Sequence, residues 1–122
     1  MRLLSEREQV VMNVIWDKRN CCVEDILQQL AEPKPAYTTV QTFLRILEQK
    51  EFVAHKREGK KFIFYPLVEK PEYNRWSLKQ MKDNLFGGSA KSLLNTFISD
   101  NTLSDTDIND LMLLLKELKE TP

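Results

Sequence analysis

Thr38, Thr39, Gln41, Thr42 and Arg45 bring three short hydroxyls, a carboxamide and a guanidinium together in the stretch AYTTVQTFLRILEQK. That set can read base edges. A carboxamide bridges two atoms of adenine, a guanidinium reaches guanine or phosphate, and a threonine brings a hydroxyl or a methyl close to the base. A second group lies in HKREGKK, where Lys56, Arg57, Lys60 and Lys61 outnumber Glu58. Cations of this kind hold phosphates and fix position without reading sequence. Tyr37 has a hydroxyl able to donate to a phosphate, or a ring able to pack under a helix; both uses are open. Neither group decides anything alone, because Thr is a good helix N-cap and a basic hairpin is commonly a solvated turn. Their order and spacing are what join them.

Other chemistries find little support. Cys21 and Cys22 are adjacent and form neither an ordinary disulfide nor a metal site, so two packed structural thiols are expected. His55 is the one histidine, expected on a strand surface, and there is no zinc set, no nucleophile–base pair and no glycine-rich phosphate loop. No catalytic residue, metal or cofactor is assigned.

The elements that must carry the two groups are legible. LSEREQVVMNVIWDK predicts a first helix, with Ser5 and Glu8 as a capping box and Val11, Met12, Ile15 and Trp16 as its apolar stripe. CCV is a short β-prone piece. VEDILQQLAEP predicts a second helix with Ile26, Leu27 and Leu30 inward, ended by Pro33 and Pro35. In the next helix Val40, Phe43, Leu44 and Leu47 share one face, which leaves Thr38, Gln41, Thr42 and Arg45 opposite, with Thr39 at the shoulder. EFVAHKREGKKFIFYPL then predicts a β-hairpin turning near Glu58-Gly59. Helix, short strand, helix, helix and hairpin is the order of a winged helix-turn-helix, with the basic tip as the wing and the threonine-rich helix in the major groove.

After residue 67 the character changes. A helix from Pro71 would carry Tyr73, Trp76, Leu78, Met81 and Leu85; Phe86-Gly87-Gly88 is a hinge or a cap, and Ser89 can start the next helix. That helix offers Leu93, Leu94, Phe97 and Ile98, and a last one, capped by Ser104, offers Ile108, Leu111, Met112, Leu114, Leu115 and Leu118. With Leu113 added, the apolar surface wraps well round the last helix, and such a helix is buried on most of its circumference. A second copy of the chain is the simplest cover; folding back on the N-terminal core is the alternative. The expected organisation is a mainly α protein with a small β-hairpin: a winged-helix DNA-binding domain at 1–67 and a three-helix dimerisation segment at 68–122. Its 18 basic and 18 acidic residues cancel, so any polyanion contact rests on the local wing charge. The N-terminus lacks the apolar core of a signal peptide and no run is long enough to span a membrane, so a cytoplasmic location is expected.

AYTTVQTFLRILEQKEFVAHKREGKKFIFYPLV resembles the signature of the penicillinase-repressor family (BlaI/MecI type), and LFGGSAKSLLNTFISDNTLSDTDINDL is similar to its C-terminal helical segment. The likeness runs from LSEREQVVMNVIW to the last helix. It implies a homodimeric winged-helix repressor on a palindromic double-stranded operator, controlling β-lactam resistance or related stress genes. It also implies a membrane sensor metalloprotease as partner, which leads to cutting of the C-terminal segment. The family's cut bond is Asn-Phe; the aligned pair here is Thr96-Phe97, with Asn95 one place earlier. Copper-responsive members carry C-terminal Cys-x-Cys motifs, and this chain has no cysteine after Cys22. Many members place Gly where Glu51 stands, after the recognition helix; a different helix ending would avoid the strain of a left-handed Glu. Two other readings stand beside this one: release by a non-proteolytic effector, and a protein-interaction module without DNA readout.

Overall fold

Ser5 starts α1 (Glu6–Lys18) with both halves of a capping box. Its hydroxyl accepts the Glu8 N–H at 3.2 Å, and the Glu8 carboxylate accepts the Ser5 N–H at 3.0 Å. The structure, a computed structural model, describes residues 1–100 and 103–120, with Leu118 and Glu120 described by backbone alone. After α1 come α2 (Val23–Gln29), α3 (Tyr37–Gln49), the hairpin β1 (Val53–Glu58) and β2 (Lys61–Pro66), α4 (Lys70–Leu85), α5 (Ala90–Ser99) and α6 (Asp105–Glu120). Two compact units result, Met1–Ser77 and Leu78–Pro122.

In the first unit Val11, Met12, Ile15 and Trp16 of α1 meet Val23 and Ile26 of α2 and Val40, Leu44 and Leu47 of α3 in one core. α2 is shorter than its apolar pattern suggests. It stops at Gln29 because Leu30 turns extended; the Leu27 carbonyl accepts the Leu30 N–H at 3.3 Å and the Lys34 ammonium at 2.7 Å. Cys21 pairs with Phe64 through two backbone hydrogen bonds, adding a short rung to β2. Both thiols are buried and free, and burial pushes Cys21 up to about 11, so it stays protonated and acts as packing.

The end of α3 resolves the question raised by Glu51. Glu51 does adopt the left-handed conformation, with φ at 65°. The Phe52 N–H reaches back to the Leu47 carbonyl at 2.9 Å and the Glu51 N–H to Glu48 at 3.0 Å, the paired bonds of a Schellman ending. Phe52 and Leu47, the apolar pair of that motif, are both fully buried, so core packing enforces a conformation that costs Glu strain. In the hairpin the register pairs Glu58 with Lys61, so the turn residues are Gly59 and Lys60, and Gly59 supplies the positive φ at 62°.

Tyr73 and Trp76, expected at a dimer interface, instead close the first core, which runs past residue 67 to Ser77. Tyr73 is 5% exposed, its hydroxyl accepts the Leu4 N–H at 2.9 Å, and its ring lies edge-on to Phe52 with centroids 5.5 Å apart. Trp16 is the expected core anchor, with its indole N–H donating to the Val68 carbonyl at 2.8 Å. Three helices and a hairpin leave Trp16 and Phe52 without a lid, and the first turns of α4 supply it.

In the second unit Gly87 and Gly88 both have positive φ, and the Gly88 N–H returns to the Lys82 carbonyl, so this pair caps α4. Ser89 and Ser104 cap α5 and α6 through the N–H groups of Ser92 and Asp107. Leu93 is buried, whereas Leu85, Leu94, Phe97, Ile98 and Met112 to Leu115 are exposed in the single chain. Phe86, Ile108 and Leu111 are half-buried; the Leu118 side chain lies outside the described residues. Among the described residues no helix is long and apolar enough to cross a membrane.

Two consequences can be measured in this fold. Glu8 is 5% exposed and accepts the Lys50 ammonium on both oxygens, at 2.8 and 3.0 Å. Burial alone would raise its pKa, but Lys50 and the Ser5 donors outweigh that and hold it below its ordinary value. A depressed folded pKa adds stability above the unfolded value and loses it as pH falls through the folded one. Glu8→Gln should therefore cost about 2 kcal/mol near pH 7, and the gap to wild type should narrow in denaturant titrations as pH falls below the ordinary glutamate value of about 4.3. Glu51→Gly should stabilise the chain by roughly 0.5–1 kcal/mol, read as a raised Tm, because glycine enters the left-handed region freely.

Candidate nucleic-acid interface

α3 is built to show one face. Val40, Leu44 and Leu47 are fully buried and Phe43 is half-buried, while Thr38, Gln41, Thr42 and Arg45 are exposed. The N-cap is Ala36 and makes no side-chain cap bond, so neither Thr38 nor Thr39 is there as a cap. The Thr42 hydroxyl donates to the Thr38 carbonyl at 3.0 Å, one turn back. Thr39 is half-buried and turns away from the wing, into a recess lined also by Arg7, Val10, Pro33 and Phe43. It sits at one edge of the exposed face, not within it.

A groove of about 310 Å³ runs between α3, the start of α2 and the hairpin. Tyr37, Gln41, Arg45 and Glu48 form its helical wall at successive turns, and Lys60, Lys61, His55, Phe62 and Phe64 form the wing wall. Carboxamide, guanidinium, phenol and two ammonium groups thus line one channel. Gln41 and Arg45 stand one turn apart, so both can address the same stretch of a polyanion.

The four wing cations, grouped together in the sequence, do not share a direction. Adjacent strand residues point to opposite sides, and the register sets Lys56 against Ile63 and Arg57 against Phe62. Lys56 lines a separate shallow recess with Arg19, Asn20 and Tyr65, away from the groove. Arg57 is held at the turn, with its Nε–H donating to the Gly59 carbonyl at 3.1 Å and its guanidinium 5.9 Å from the Phe62 ring centre. Lys60 and Lys61 are the pair that faces α3.

His55 and Glu48 carry a role that composition did not disclose. The Nδ1 of His55 is hydrogen-bonded to a Glu48 carboxylate oxygen, which ties β1 to the last turns of α3. The imidazole is also set between two wing rings, 5.3 Å from Phe62 and 5.5 Å from Phe64. A helix residue and a strand residue seven apart give no periodic signal, and the contact exists only once Glu51 has reversed the chain. Among the described residues no group of three or more His, Cys, Asp or Glu side chains is placed to hold a metal ion.

In the second unit Asn95, Thr96 and Phe97 all lie within α5, exposed, and the Thr96 hydroxyl donates to the Ser92 carbonyl at 3.1 Å.

The chain was compared with known proteins. The family model for the penicillinase repressor matches residues 4–117. The penicillinase repressor of Bacillus licheniformis is 26% identical over 117 residues, 95% of this chain and 91% of that protein. The methicillin resistance regulatory protein MecI of Staphylococcus aureus strain N315 is 28% identical over 115 residues, 93% of this chain and 94% of that protein. Among solved structures, the DNA-binding domain of the repressor BlaI aligns with a TM-score of 0.51 and 28% identity, over 57% of this chain and 87% of that one. The monomeric form of Bacillus licheniformis BlaI, in complex with the blaP half-operator, aligns with a TM-score of 0.50 and 27% identity, over 59% and 89%. A family model matching nearly end to end, relatives aligned over more than nine-tenths of both chains and a shared DNA-binding domain agree: this chain belongs to the penicillinase repressor family, a family of transcriptional repressors and not of enzymes.

Proposed function

We propose that this protein is a sequence-specific transcriptional repressor that binds double-stranded DNA as a homodimer on a palindromic operator. The observation that carries the reading is the groove in which Gln41 and Arg45 of α3 face Lys60 and Lys61 of the wing. α3 enters the major groove with Thr38, Gln41, Thr42 and Arg45 toward the bases. Tyr37, Lys60, Lys61 and the turn-held Arg57 grip flanking phosphates, and Lys56 adds charge from the far side of the hairpin. The relative solved with a half-operator supports one unit of this kind reading one half-site.

Pairing of two chains rests on the second unit. Met112 to Leu115 are four consecutive exposed apolar residues, so they point round most of the circumference of α6. With Leu94, Phe97 and Ile98 of α5 also exposed, a second copy is the cover that this surface fits. Two-fold pairing of two reading helices makes a palindrome the matching DNA. Release then means loss of that linkage. Cutting at Thr96-Phe97 by a membrane sensor metalloprotease would detach α6, and binding of an effector to the second unit is the other route. Control of β-lactam resistance or related stress genes is the target that the family suggests.

Three measurements test this. Gln41→Ala should cost about 1–3 kcal/mol of operator affinity and relax preference at one base pair in each half-site. Lys60→Ala should weaken operator and random DNA alike and make the log–log salt slope shallower by about 1; equal losses on both DNAs for Gln41→Ala would remove it from base reading. Met112→Asp and Leu115→Asp alter side chains already exposed in the single chain, so sedimentation should find folded monomers where wild type is dimeric.

A further inference from the structure

We infer that Thr42 reads a thymine through its methyl group and not through its hydroxyl. The inference rests on the DNA-reading assignment above and specifies one contact within it. A threonine hydroxyl has a single proton. In Thr42 that proton is committed, since the group donates to the Thr38 carbonyl at 3.0 Å. Donating to a guanine N7 or O6, an adenine N7 or a thymine O4 would break this bond to make one of the same kind, with no net gain. What the exposed side chain has left to offer is its methyl and the lone pairs of its oxygen. Among major-groove base edges the one apolar group is the C5-methyl of thymine. The charged and amide donors stand to the wing side of Thr42, where Gln41 and Arg45 line the groove, and Thr39 lies to the other side, toward α1. Thr42 is therefore the uncharged centre of the face, with its donor already used and a methyl to bury.

The test uses the full chain and the duplex that it selects from a randomised pool. Each thymine of one half-site is replaced in turn by deoxyuridine, which removes the 5-methyl and leaves pairing unchanged. Wild type should lose roughly fivefold in affinity at one thymine position, about the worth of one buried methyl. Thr42→Ser, which keeps the hydroxyl and lacks the methyl in both chains of the dimer, should show that loss once per half-site on the thymine duplex and no further loss on uracil. Thr42→Val, which keeps a methyl and lacks the hydroxyl, should still discriminate thymine from uracil. Insensitivity of wild type to every uracil would overturn the inference. So would full affinity in Thr42→Ser with a loss in Thr42→Val, which would assign a hydroxyl contact to an adenine or cytosine amino group. Recovery of no preferred duplex would overturn the DNA-reading assignment itself, and so is distinct from a failure confined to Thr42.

Discussion

The buried side of α3 is the constraint from which the candidate interface follows. Val40, Leu44 and Leu47 are fully enclosed by α1, α2 and Phe52, and at the C-terminal end Lys50 donates to the buried carboxylate of Glu8. That ion pair joins the first turn of α1 to the C-cap of α3. A carboxylate this buried is tolerable only because every oxygen has a donor, and those same donors fix how far α3 can rotate or slide. With the helix held from behind, its front can carry threonines, which add little helix propensity, at small cost to the fold.

The same economy of charge governs the wing. A chain with no net charge has no long-range pull on a polyanion, so its grip depends on where a few cations are set. The hairpin register divides them: Lys60 and Lys61 face α3, Arg57 is fixed against Phe62 and Gly59, and Lys56 lies behind. His55 and Glu48 then hold the wing to the helix whose groove it completes. The groups proposed to read bases and to hold phosphates are thus kept in one frame, which lets a short helix and a six-residue-stranded hairpin act as a unit.

Much of this was legible in the residues. Ser5 and Glu8 announced the start of α1, the Val40-to-Leu47 spacing announced the buried side of α3, and Gly59 announced the turn, because each signal is local. Contacts made only in three dimensions were not. Tyr73 and Trp76 carry the pattern of any amphipathic helix, and nothing in that pattern tells whether the covering surface is a second chain or the space over Trp16 and Phe52. The direction of Lys56 depends on a hairpin register that one residue of slip would invert. Glu51 was recognised as a strained position, and the strain proved to be accepted, because Phe52 and Leu47 must both be buried. Thr39 stands at the edge of the exposed face of α3, turned toward α1, a direction that helical spacing alone does not give.

The two units divide the labour of the proposed switch. The first owns the groove proposed to read DNA and a closed core reaching into α4; the second exposes the apolar surface that would join two such readers. Joined readers gain from effective concentration, and separated ones lose that gain although each DNA contact survives. The most direct measurement is the affinity of the full chain for a duplex with two half-sites against one with a single half-site, with the stoichiometry of each complex. Tighter binding to the two-site duplex by on the order of a hundredfold, with two chains bound together, is the predicted result. Independent binding of single chains, with equal affinity per half-site on both duplexes, would contradict it.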